Sequence, residues 1–167
     1  MESQKSKTNA SRWQWLIIPP IILLLLPVVV GMLLLVVISS VSLHIAIWLL
    51  WCTRGRDILF VYSNSPVWHD YIEQRLLPWL EDRAVFLNWS DRSRWRFPPT
   101  LARMAFHHFG GQREFNPLAV VFRPFRPARV FRFWQPFRDF KHGHPEPLHK
   151  LEKEFFDLIG VRRDHSV

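Results

Sequence analysis

Hydrophobic and polar positions divide this chain into two regimes. From Leu16 to Trp51 it reads LIIPPIILLLLPVVVGMLLLVVISSVSLHIAIWLLW, without Lys, Arg, Asp or Glu, and His44 is its only side chain that titrates near neutral pH. A charge-free apolar run far above 18 residues predicts a membrane span. After Cys52 the pattern changes to short apolar runs separated by polar, Pro- and Gly-marked breaks, the alternation of a small folded domain. The expected division is a polar, basic tail over 1–12, an anchor over 13–52, a domain over 53–160 and a C-terminal tail over 161–167.

As one helix the run would be about 50 Å long, against a hydrocarbon core of about 30 Å. Three arrangements meet that excess. A single helix over Val28 to Leu50 could cross while the upstream part lies at the interface; a long helix could tilt and kink at Pro27; or two short segments could turn near Gly31 as a hairpin. Trp13 and Trp15 at one end, with Trp48 and Trp51 at the other, suit two headgroup belts. Lys5, Lys7 and Arg12 precede the run and Arg54 and Arg56 follow it, so the positive-inside rule is nearly balanced for one span. A hairpin would place both flanks in the cytoplasm. His44 reads as a neutral imidazole near the Trp belt, since Ser39, Ser40 and Ser42 are its only polar neighbours in the run. The one cysteine, Cys52, excludes an internal disulfide and sits where S-palmitoylation is possible.

In the domain, Asp57 to Ser63 and Ala84 to Trp89 read as buried strands. Ser65 and Pro66 open a helix over about Val67 to Asp82, with Trp68, Tyr71, Ile72, Leu76, Leu77 and Leu80 on one face and Pro78 as a kink or early stop. Leu101 to Phe109 is a second helix closed by Gly110-Gly111. Leu118 to Phe122 and Ala128 to Trp134 form a hairpin turning around Arg123–Pro127. Glu146 to Ile159 is the last helix, with Gly160 beyond its end. The order is β-α-β-α-β-β-α, an α/β sandwich whose first two connections are helical crossovers between parallel strands.

That order, with Asn116-Pro117 directly before the third strand and Asn64-Ser65-Pro66-Val67-Trp68-His69 at the junction of first strand and first helix, resembles the thioredoxin-like fold. The resemblance implies a cis-proline at Pro117 and a redox motif at the strand–helix junction. That junction has no cysteine, which excludes dithiol exchange in the domain. What the resemblance leaves is a groove for an extended peptide, lined by Ser65, Pro66, His69, Asn116 and Pro117.

Charge adds a second candidate surface. Residues 91–141 hold eleven Arg or Lys against three acidic residues, a net +8, while the rest of the chain cancels. Arg123, Arg126, Arg129 and Arg132 recur every third residue; Arg92, Arg94, Arg96, Arg138 and Lys141 extend the set, interleaved with aromatic residues. Such a face suits lipid phosphate, an acidic protein or, less well beside a membrane, nucleic acid. Plain strand alternation, with aromatic residues inward and arginine outward, would produce the same pattern. Asp91 and Asp139, flanked by arginines, are expected in ion pairs. No metal site or cofactor is expected: His107-His108 and His142-Gly143-His144 lack companion ligands, and no phosphate loop or nucleophile elbow occurs.

The sequence therefore predicts a membrane-anchored, non-redox, thioredoxin-like binding or scaffolding domain, held on the cytoplasmic face and meeting the bilayer, anionic lipid or an acidic protein through its basic, aromatic-rich surface. Two alternatives stay open: an enzyme such as a transferase on a membrane-linked substrate, using Ser65, His69, Asp91 and nearby arginines, or an assembly subunit of a membrane complex.

Overall fold

A computed structural model describes residues 3–95, 97–110 and 116–161, with side chains from Leu23 onward. Its contacts divide the chain into two units, Met1–Ser42 and Leu43–Val167. Helix α1 spans Ser3–Leu50 without a break, so the hairpin turn considered at Gly31 is not formed. Within it the apolar side chains from Leu23 to Ile38 are exposed, and the helix is long and apolar enough to cross a membrane.

The second unit contains β1 (Ile58–Tyr62), α2, β2 (Ala84–Asn88), a 3-10 segment (Trp89–Arg94), α3 (Leu101–Gly110), β3 (Leu118–Arg123), β4 (Arg126–Arg132), α4 (Trp134–Lys141) and α5 (Glu146–Ile159). Helix α2 is composite: Pro66–Tyr71, a wider π turn at Ile72–Leu76, then Leu77–Leu80. Pro78 explains the wide turn, because its ring and missing N–H disturb the bond to the carbonyl four residues earlier. The expected kink is thus absorbed as a local bulge. Helix α4 was not anticipated; β4 was expected to continue to Trp134 but stops at Arg132.

The sheet order is β2-β1-β3-β4. β1 and β2 are parallel, from Ile58 against Ala84 to Tyr62 against Asn88. β3 is antiparallel to β1, with Ile58 opposite Val121 and Val61 opposite Leu118. The second crossover therefore does not join parallel strands, contrary to expectation. Helix α3 touches all four strands, so it lies across the sheet and the chain re-enters at the end it left. We call the end where β1 begins lower and the end where β1 finishes upper. The upper end holds the ends of β1, β2 and β4 and the start of β3; the lower end holds the β3–β4 turn.

Alternation sorts the core onto two faces. One joins Ile58, Phe60, Ala119, Val121 and Phe131 to Trp68, Ile72, Leu76 and Leu80 of α2, Phe137 of α4 and Leu148, Phe155, Phe156 and Ile159 of α5. The other joins Leu59, Val61, Leu87, Leu118, Val120 and Phe122 to Ala105 and Phe106 of α3, and to Leu43, Ile47 and Trp51. The last turns of α1 are thus core of the sandwich, upstream of the boundary expected at residue 53. Trp51, expected in a headgroup belt, packs instead against Phe122, with ring centroids 6.1 Å apart.

Three arginines close helix C-termini from outside the helix they serve. Arg83 donates to the Ile159 carbonyl at 2.6 Å and forms a two-bond pair with Asp57 at 2.6 and 3.1 Å. Arg123 donates to the Leu158 carbonyl, and Arg132 to the Gly110 carbonyl at 2.6 Å. A cation at these positions meets both the unsatisfied carbonyls and the negative end of the helix dipole. Gly160 completes α5 in the left-handed conformation (φ 74°).

Candidate functional site

The upper end of the sheet gathers three connections. The loop after β1 is tied to the end of β2 by side chains: Asn88 Nδ2 donates to Asn64 Oδ1 at 2.8 Å, the Asn64 N–H to Ser90 Oγ at 2.9 Å, and the Ser90 N–H to Asn88 Oδ1 at 2.9 Å. Asn64 belongs to the junction segment singled out in the sequence; its partners Asn88, the last residue of β2, and Ser90 carry no signal there beyond a strand end and a loop. They fix the junction that leads into α2.

Ser65 is the N-cap of α2 and Pro66 its first residue, as expected, but the Ser65 side chain makes no capping bond; its carbonyl accepts from the Trp68 N–H at 3.1 Å. Asn116 and Pro117 precede β3, and the Val61–Leu118 pairing sets Pro117 beside the end of β1, near this junction. Their peptide bond is cis. The Pro117 carbonyl accepts from the Phe133 N–H at 3.0 Å, so it is engaged within the fold. Asn116 is buried, and its Oδ1 meets no donor among the described residues. His69 is exposed three residues after Pro66 on α2, with its Nε2 3.2 Å from Glu73 Oε1. Ser65, Pro66, Asn116 and Pro117 thus share one end of the sheet, and His69 points to solvent.

The arginines expected to form one basic face are divided by the fold. A period of three in a strand of period two sends successive residues to opposite faces. Arg123 reaches α5 on one face and Arg132 reaches α3 on the other, both as helix caps. Arg126 lies at the lower end and Arg129 within β4. Arg96 lies outside the described residues. Arg92, Arg94, Arg138 and Lys141 remain exposed on elements that leave the upper ends of β2 and β4.

Several of these cations already cover rings of the domain. Arg138 stands 4.8 Å from the Trp134 centroid, Lys141 5.3 Å from Phe137, Arg92 5.4 Å from Trp89 and Arg129 5.5 Å from Phe131. Each such contact at an exposed site contributes about 0.5–1 kcal/mol. Phe131, Phe133 and Phe137 are buried, so the aromatic interleaving serves mainly the core and little of it is offered for base stacking. Arg103, also unnoticed, is buried: it donates to the Pro98 carbonyl at 2.7 Å and lies over Trp95 at 5.7 Å, bracing the loop before α3.

The enzyme alternative required His69, Asp91 and Arg94 to converge. Asp91 pairs with Arg94 at 3.7 Å on the 3-10 segment, while His69 pairs with Glu73 on α2; these are two separate exposed pairs. Asp139, expected to pair with an arginine, accepts instead from Gln135 Nε2 at 3.1 Å. Among the described residues, no three His, Cys, Asp or Glu side chains gather as a metal site would require. Compared with protein families, curated proteins and solved structures, the chain matches none.

Proposed function

We propose that this protein is a membrane-anchored, non-redox binding module of thioredoxin-like architecture, with its domain on the cytoplasmic face. The observation that carries the reading is α1: one uninterrupted helix, lipid-compatible from Leu23, whose last turns supply Leu43 and Ile47, with Trp51 directly after them, to the domain core. A tether built into the core cannot fray away from the domain it carries. Two features support the architecture: β1 and β2 run parallel, and Pro117 stands beside the end of β1 that leads into α2. The single cysteine, Cys52, lies before β1, so nothing at the strand–helix junction performs thiol exchange.

The binding surface in this proposal is the upper end of the sheet. There the Asn64–Asn88–Ser90 network presets the loop, and Arg92, Arg94, Arg138 and Lys141 give it positive charge. An acidic peptide or protein segment fits that charge better than nucleic acid, because the rings beneath the cations are occupied. The test is crosslinking in native membranes with a photoreactive group at Ser93, exposed on the 3-10 segment between Arg92 and Arg94. Capture of one acidic partner, lost with added salt and with Arg92→Glu and Arg94→Glu, supports the reading. Capture unaffected by charge reversal refutes it.

A further inference from the structure

The β3–β4 turn is a two-residue connection, Pro124–Phe125, between the paired residues Arg123 and Arg126. Phe125 holds φ at 59°, a left-handed conformation that normally selects Gly or Asn and that a bulky side chain resists. It is also 92% exposed, whereas Phe122, Phe131, Phe133 and Phe137 of the same region are buried. A strained backbone that displays a large apolar ring to solvent serves neither the turn nor the core. Backbone outliers of this kind cluster where a side chain is held out for a contact.

Among the described residues its ring meets Trp48 of α1, with centroids 5.4 Å apart. Around Trp48 the helix still exposes Ile45, Leu49 and Leu50. Phe125 therefore extends, at the level of Trp48, the apolar surface with which α1 ends. Arg54 and Arg56 follow that helix end and are exposed, and Arg126 is exposed at the turn itself. Of the acidic residues at this end, Asp57 is paired with Arg83, Glu81 and Asp82 precede β2 on the far side of β1 from the hairpin, and Asp157 lies in the last turn of α5, whose carbonyls Arg83 and Arg123 cap.

The geometry points to the β3–β4 turn as a second membrane contact: Phe125 enters the headgroup layer beside Trp48, and Arg126 meets lipid phosphate. This rests on the reading of α1 as a membrane anchor. The occupant is the bilayer because Phe125 is continuous with an apolar helix end, and an aromatic ring between arginines is the composition the interface favours. The contact would hold the sheet's lower end to the lipid surface and leave the upper end open.

The test uses the full chain in vesicles of neutral and anionic phospholipid, with Cys52→Ser removing the native thiol. An environment-sensitive fluorophore is placed on Phe125→Cys, on Phe97→Cys as an exposed control in the loop before α3 and on Val36→Cys as a report on the anchor. Nitroxide lipids labelled in the headgroup should quench the probe at 125 roughly threefold more than the probe at 97, as expected for a ring at interface depth, and the probe at 36 is read with nitroxide on the acyl chain. Quenching at 36 with equal, weak quenching at 125 and 97 overturns the proposal and leaves the anchor standing. No quenching at 36 overturns both. A probe at 125 shielded from soluble quencher but beyond the reach of nitroxide lipid is covered by protein, which also overturns it.

Discussion

Replacing Ile47 by Ala asks whether the end of α1 is core or merely a leash. Ile47 is fully buried, in one cluster with Leu59, Val61, Val120 and Phe122 of the sheet. Truncation removes the side chain beyond Cβ and leaves a cavity between helix and sheet, at a cost of about 3 kcal/mol within the range of about 2–5 for such changes. That is a large share of a domain stability of about 5–15 kcal/mol. Leu49, two residues on, is 64% exposed, so Leu49→Ala should cost under about 0.5 kcal/mol. Urea unfolding of the full chain in nanodiscs, followed by tryptophan fluorescence, reads the difference. With a slope of about 2 kcal/mol/M, the Ile47→Ala midpoint should fall by about 1.5 M while that of Leu49→Ala stays within about 0.3 M of the parent. Equal midpoints for the two variants would refute the packing of α1 into the sandwich.

Arg83→Ala strips a partner from the half-buried Asp57 and a cap from Ile159, and should lower stability by about 1–2 kcal/mol once screening at a side chain 37% exposed is allowed for; thermal unfolding checks it. Phe125→Gly relieves the left-handed backbone, so it should raise stability by about 1 kcal/mol and Tm by about 4 °C, while weakening attachment of the lower end to anionic vesicles. A fall in Tm would show that the exposed ring is structural. Asn88→Ala cuts the upper-end network and should speed amide exchange at Asn64 and Ser90 with little effect at the core strands. Uniform change across the domain would contradict a local role.

Elements with strong periodicity were legible in the sequence. Glu146–Ile159 shows its apolar stripe, its Pro-marked start and its Gly stop, and it forms with those bounds. The fate of the arginines was not legible, because their partners are backbone carbonyls remote in sequence: Arg123 and Leu158 are 35 residues apart, Arg83 and Ile159 76. A charge run read along the chain looks like a surface until strand alternation and helix ends claim its members. Helix α4 was hidden for a related reason. Phe131, Phe133 and Phe137 are uniformly aromatic, and the switch from period two to period 3.6 falls at Trp134 without a Gly to mark it. The core role of Leu43, Ile47 and Trp51 was hidden because an apolar residue facing a sheet and one facing lipid look alike in sequence.

Whether this is a domain held to a membrane by one crossing is tested most directly by thiol accessibility in intact cells, using Ser3→Cys and His165→Cys in a Cys52→Ser background. The account predicts that an impermeant reagent labels the Ser3→Cys variant from outside and the His165→Cys variant only after permeabilisation, with both chains resisting alkaline extraction. Labelling of both from the same side, or release of the chain by alkali, would contradict it.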